Sequence, residues 1–270
     1  MDREVLGRNK VQVLGAGAQT IMFAHGFGSS QGSWRLVAPA FADAYRIILF
    51  DYVGAGPSGS AERYDDLRGY AQDVLDICAT LDLANLIFVG HSISGMIGLL
   101  ASIQAPQRFD RLVMIGSSPH YLNEPPDYSG GFERADVEGL IELMEKNHDG
   151  WAGFLAAMAM QNADRPEMAR ELEASFRATD PAFARQFARA TFYCDYRLDL
   201  PRASVPALIL QSAEDLIVPL DAASYLHRHL PGSTLRMMRA IGHYPHVSQP
   251  AEVIELVREY LTQSPPPGQR

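Results

Sequence analysis

Leu86-Ile87-Phe88-Val89-Gly90-His91-Ser92-Ile93-Ser94-Gly95-Met96-Ile97-Gly98 is the stretch on which the fold turns. An unbroken apolar run ends at a glycine, a serine follows two residues later, and an apolar, helix-compatible segment comes next. This is the strand–turn–helix context of a nucleophile elbow, in which a sharp turn projects the serine side chain from the sheet edge. Only small residues fit two before and two after such a serine, because the strand and helix backbones nearly touch there. Gly90 fills the first position and Ser94 stands at the second, where glycine is usual. Registering the motif on Ser94 instead would put Ser92 at the first glycine position, so Ser92 is the candidate nucleophile.

A serine hydroxyl needs a base and an orienting acid. In α/β-hydrolases these follow in the order Ser, Asp or Glu, His, each on a loop after a strand. Pro206–Gln211 reads as a buried strand and leads into Ser212-Ala213-Glu214-Asp215. Ser233–Met238 reads as a second and leads into Arg239-Ala240-Ile241-Gly242-His243. Asp215, with Glu214 as a rival, and His243, with His246 as a rival, therefore lie just past successive strand ends. Upstream, the apolar strand Thr20–Ala24 runs into His25-Gly26-Phe27-Gly28. A His-Gly turn there places a backbone N–H over the nucleophile, so the main chains of Phe27 and Ile93 are the candidate oxyanion donors. His25 itself reads as a turn-stabilising residue.

Strand-like runs at 10–14, 20–24, 46–50, 86–90, 111–115, 206–211 and 233–238 alternate with helical patterns. That is the signature of an α/β fold with a mostly parallel sheet covered on both faces. Residues 70–83 set Val74, Ile77, Cys78 and Leu81 on one helical face, and Pro250 opens a last helix through Val253, Val257, Tyr260 and Leu261. Between 115 and 206 the alternation stops. Val137, Leu140, Ile141 and Met144 recur at helical spacing, as do Trp151, Phe154, Leu155 and Met158. Met168, Leu172 and Phe176, then Phe183 and Phe187, continue in four-residue steps. About four amphipathic helices at 118–194 thus form a lid on a core of 1–117 and 195–263, with an apolar substrate cavity beneath it and a disordered tail at 264–270.

Composition narrows the function. The 270 residues are 47% hydrophobic and carry a net charge of −9, with a pI near 5.3. With no basic cluster, this argues against nucleic acid or an anionic membrane as partner. No apolar run is long enough to span a bilayer, and Met1-Asp2-Arg3-Glu4 lacks the features of a signal peptide. Cys78 and Cys194 form no metal or redox motif. The expectation is a cytoplasmic protein with reduced thiols. Without a phosphate-binding loop, dinucleotide fingerprint or ligand-spaced His/Cys cluster, no cofactor and no metal is indicated.

Several segments together are similar to a known family. Gly90-His91-Ser92, Leu122-Asn123-Glu124-Pro125-Pro126-Asp127-Tyr128, Gly130-Gly131-Phe132-Glu133 and Asp180-Pro181 through Phe192 resemble RsbQ-type bacterial stress-response hydrolases. So do Phe50-Asp51-Tyr52-Val53-Gly54 and Gly242-His243 with Pro245-His246. The plant strigolactone and karrikin receptors share the pattern, which covers nearly the whole chain. The resemblance implies an α/β-hydrolase fold with a four-helix lid and a triad of Ser92, Asp215 and His243. It implies a pocket of Phe27, Phe132, Trp151, Leu155 and Phe192, which Met158 joins from the apolar lid face. Leu155 stands where the family commonly has Phe. The function so implied is hydrolysis of a small apolar ester or lactone. A signalling variant would sense a ligand and act on a PAS-domain PP2C-type phosphatase partner. A cofactor-free haloperoxidase or carbon–carbon bond hydrolase would share the fold and triad.

Overall fold

A computed structural model describes residues 3–53 and 61–263. The tail expected to be disordered, 264–270, and Gly54 lie outside the described residues. In chain order the elements are α1 (Arg3–Arg8), β1 (Gln12–Leu14), β2 (Thr20–Ala24), β3 (Arg46–Leu49), α2 (Leu67–Thr80), β4 (Leu86–His91), α3 (Ile93–Gln104) and β5 (Phe109–Ile115). Four helices follow: α4 (Arg134–Lys146), α5 (His148–Met160), α6 (Pro166–Ala178) and α7 (Pro181–Phe192). The chain closes with β6 (Ala207–Gln211), α8 (Leu220–His229), β7 (Ser233–Met237), α9 (Pro245–Ser248) and α10 (Pro250–Gln263).

The strands make one seven-stranded sheet in the order β1-β3-β2-β4-β5-β6-β7. Among the described strands, β1–β3 is the antiparallel pair and the other pairs are parallel. Every residue of β2, β4, β5 and β6 is buried, as strands covered on both faces require. One face packs on α2, α3, α8 and the four-helix insertion, and the other on Trp34, Phe41 and α10. Among the described residues no helix is long and apolar enough to cross a membrane.

Local chemistry moves some boundaries. β1 starts at Gln12 because Lys10 has φ 47°, which breaks extended backbone. β5 starts at Phe109, ahead of the expected 111. The charges of Asp110 and Arg111 are buried in it by pairing with each other at 2.5 Å. α2 begins at Leu67, where the Asp66 carboxylate accepts the Arg68 N–H at 2.7 Å, an N-cap bond. It ends before Asp82, whose φ is 49°.

Candidate active site

The carboxyl ends of the parallel strands bring the chemistry together. Ser92 is the first residue after β4 and caps α3, with φ 56° and ψ −127°. This backbone region is costly for any residue with a Cβ and is held by its surroundings. Here the Ser92 N–H donates to Ile115 O at 2.7 Å, and its carbonyl accepts Ser117 Oγ–H at 2.8 Å. A Cβ on Gly90 would lie 2.6 Å from the Ser94 carbonyl carbon, which is why position 90 excludes a side chain. Ser94 is accommodated because its hydroxyl donates to the His25 carbonyl. The residue that departs from the usual glycine thereby ties the elbow to the 25–28 turn.

The Ser92 hydroxyl donates to His243 Nε2 at 2.7 Å, and His243 Nδ1–H donates to Asp215 Oδ2 at 2.8 Å. Asp215 is oriented in turn by the N–H groups of Ile217 and Val218, which donate to its Oδ1 at 2.8 and 3.1 Å. The Asp215 and His243 side chains are 1% and 4% exposed, so the relay is dry. Glu214, the rival acid, is exposed and pairs through its backbone with the 241–242 turn. His246, the rival base, is buried with its ring stacked 4.4 Å from Trp34, and burial pushes it down to about 3. His91 donates from Nε2 to the His243 carbonyl at 2.7 Å, and burial also holds it well below the ordinary histidine value.

The 25–28 turn is fixed from several sides. His25 donates from Nδ1 to Gly26 O at 2.9 Å and accepts the Tyr52 N–H at 3.1 Å on Nε2, the part of a turn-stabilising residue. Tyr244 Oη–H donates to Phe27 O at 3.0 Å, and Ser175 Oγ–H, from α6, donates to Gly28 O at 3.0 Å. Gly28 has φ +68°, and a Cβ there would meet the Phe176 ring at 2.1 Å. Among the described residues, the N–H groups of Phe27 and Ile93 find no acceptor within the protein, and Ile93 opens α3, whose dipole favours negative charge at that end.

A narrow cavity of about 20 Å³ lies over Ser92 and His243, lined also by Phe27, Leu155, Phe192 and Ile217. Of the side chains expected to form the pocket, Phe27, Leu155 and Phe192 reach it, and three do not. Trp151 packs edge-on behind Phe27, ring centroids 5.9 Å apart. Phe132 and Met158 line a separate, outer groove between α4 and α5, with the exposed Phe154. Successive residues of one apolar stripe face opposite sides when helices are stacked two deep. Sequence reasoning also passed over Tyr121, Thr191, Phe176, Ala159 and Tyr244, all of which line the cavity. Tyr121 is fully buried and its hydroxyl is 3.4 Å from Ser92 Oγ. The signal available for it was a polar-tipped aromatic on the loop that leaves β5, six residues past Ile115.

The helical insertion grips the relay directly. The His243 N–H donates to Ala159 O at 2.7 Å. Leu216 N–H donates to Gln161 Oε1 at 3.1 Å, and Asn162 Nδ2 donates to Ile241 O at 2.9 Å. The last turn of α5 thus holds both the acid-bearing and the histidine-bearing loops.

Comparison with known proteins agrees with this architecture. A family model described as alpha/beta hydrolase fold matches residues 19–250. The chain is 38% identical over 258 residues to Karrikin insensitive 2 receptor CA of Petunia hybrida, covering 94% of this chain and 95% of that protein. It is 37% identical over 262 residues to Strigolactone esterase D14 of Arabidopsis thaliana, covering 95% and 97%. Among solved structures, the hydrolase olei00960 of Oleispira antarctica superposes with a TM-score of 0.94 at 41% identity, covering 97% of each chain.

Proposed function

The chain belongs to the α/β-hydrolase fold family, and on that premise we propose that it is a serine hydrolase of small, apolar carboxylic esters or lactones. The observation that carries this reading is the continuous relay from Ser92 Oγ through His243 to Asp215, at 2.7 and 2.8 Å, opening onto an apolar cavity. The relatives named as esterases supply the reaction class. Ser92 attacks the carbonyl while His243 Nε2 takes its proton, and Asp215 holds the ring tautomer and stabilises the imidazolium. The Phe27 and Ile93 N–H groups receive the oxyanion. His243 then protonates the departing alcohol, and water, activated by the same histidine, releases the acid from Ser92.

Cavity size and lining set the substrate class. The free space over Ser92, about 20 Å³, is far below the roughly 300–1,000 Å³ of typical ligand sites. This closed form favours the smallest acyl groups and lactones. Lined by Phe27, Phe176 and Phe192, it disfavours charged ones.

A second reading, a ligand sensor with slow turnover, is favoured by the receptors among the relatives. An RsbQ-type protein acting on a phosphatase would be its bacterial form. Intact-mass analysis after a small fluorophosphonate, run beside Ser92→Ala, separates the two. We expect one adduct on the wild type and none on the variant, with turnover of short esters. An inert wild-type serine in folded protein would overturn the hydrolase reading.

A further inference from the structure

The root of the insertion holds a side-chain cluster that ester hydrolysis does not use. The chain leaving β5 and the chain returning from α7 meet at an antiparallel bridge between His120 and Asp195. The His120 side chain is 5% exposed, and its Nδ1–H donates to the Cys194 carbonyl at 2.5 Å. With Nδ1 engaged by the carbonyl, Nε2 is the ring nitrogen left over, and it has no hydrogen-bond partner. It points at two carboxylates. Glu124 Oε1 is 3.5 Å away, and with Asp195 the three donor atoms all lie within 4.8 Å of one another.

Buried polar atoms are normally satisfied, so a bare imidazole nitrogen facing two carboxylates needs an explanation. The guanidinium beside it leaves it unexplained. Arg197 bonds both carboxylates, at 2.6 Å to Glu124 and 2.6 Å to Asp195, and leaves Nε2 untouched. By contrast, a histidine with one nitrogen on a backbone carbonyl and the other free beside carboxylates has the form of a metal ligand with its outer partner in place.

We propose that His120 Nε2 and the carboxylates of Glu124 and Asp195 bind a borderline divalent cation, Zn²⁺ in the first instance, which ties the outgoing and returning chains of the insertion together. One imidazole and two carboxylates suit zinc, whereas calcium and magnesium take all-oxygen sets. Bonds of roughly 2.0–2.2 Å to a tetrahedral ion require donors to approach more closely than the widest separation here. Glu124 and Asp195, with side chains 53% and 43% exposed, are free to close that gap. The ion neutralises both carboxylates where one guanidinium offsets only half their charge. Arg197 retains its place over the Tyr128 ring, 4.8 Å from the centroid. Zinc and Arg197 therefore compete for the same oxygens.

The test is titration of untagged, chelator-stripped protein with ZnCl₂, followed by calorimetry and thermal melts. Glu124→Gln and Asp195→Asn alter exposed side chains and leave the His120–Cys194 bond intact. We expect one Zn²⁺ per wild-type chain and a raised Tm, and affinity reduced about tenfold or more in each variant. Arg197→Met should tighten binding. With Co²⁺ in place of zinc, visible d–d bands of a tetrahedral N/O site should appear in the wild type and fade in both carboxamide variants. Either no zinc uptake at micromolar concentrations, or uptake indifferent to both substitutions, would overturn the proposal.

Discussion

The two walls of the cavity are held by different forces. On the sheet side, Ser92, His243 and Asp215 are each fixed by directional hydrogen bonds: the Ser92 N–H to Ile115 O at a strand end, the His91 ring to the His243 carbonyl, and the Ile217 and Val218 N–H groups to Asp215. On the helical side, Phe27 sits in a cage of Trp151, Phe176, Phe187 and Phe192, with ring centroids 5.9–6.3 Å apart. Directional bonds fix a geometry, whereas ring-on-ring packing fixes a volume. On the proposed function the chemistry belongs mainly to the first wall and the choice of substrate to the second, and substitutions should sort accordingly.

The severest test of that division is Asp215→Asn. It should keep the fold and lower kcat by about 10³–10⁴ through loss of the correct tautomer, while Glu214→Gln leaves turnover within about twofold, as is usual for an exposed side chain away from the reacting atoms. Equal losses in steady-state assays would mean that the polar wall has been assigned to the wrong carboxylate. Phe176→Ala attacks the other wall. Removing a ring that is 1% exposed should cost about 3–5 kcal/mol in denaturant titrations and shift preference toward longer acyl chains. A smaller kcat for every ester with no change in preference would show that the packing wall also positions the relay.

A gentler perturbation is pH. Burial holds His25, His91 and His246 below their ordinary value of 6.5. Above that pH the unfolded chain's histidines are neutral as well, and these rings add no pH dependence. Below it the unfolded chain takes up protons that the buried rings refuse. Stability should then fall by about 1.4 kcal/mol per pH unit for each such histidine, continuing for His246 to about pH 3. Urea midpoints measured at pH 7 and pH 5 check this, and a flat profile would mean that these rings are protonated in the folded protein. The smallest effect belongs to Ser94→Gly. Loss of one neutral hydrogen bond to the His25 carbonyl should cost about 1 kcal/mol of stability, read from the same titrations.

The same contrast explains what was legible in the sequence. Strands buried on both faces write themselves as solid apolar runs, so the sheet could be read, with errors only where Lys10 breaks a strand or the Asp110–Arg111 pair hides inside one. The elbow was legible because steric exclusion at Gly90 leaves a mark in the sequence. Cavity facing was not. Trp151 and Leu155 occupy one stripe, yet Leu155 reaches the cavity and Trp151 supports Phe27 from behind. Met158, on the same stripe, faces the outer groove. Helical spacing states which residues share a face, and only the stacking of α5 on α4 and α6 states what that face meets. Tyr244 is illegible for a related reason. Nothing in its place between His243 and Pro245-His246 states that its hydroxyl reaches the Phe27 carbonyl.

The bonds from the last turn of α5 to the 214–217 and 241–243 loops have a consequence for anyone recombining such enzymes. A chimera that exchanged the whole helical insertion at its sequence ends would discard Ala159, Gln161 and Asn162, and with them the supports of the acid and the histidine. The productive crossover points lie inside the insertion, after residue 162, so that α6 and α7 are exchanged as a cassette while α5 is inherited with the catalytic loops it braces.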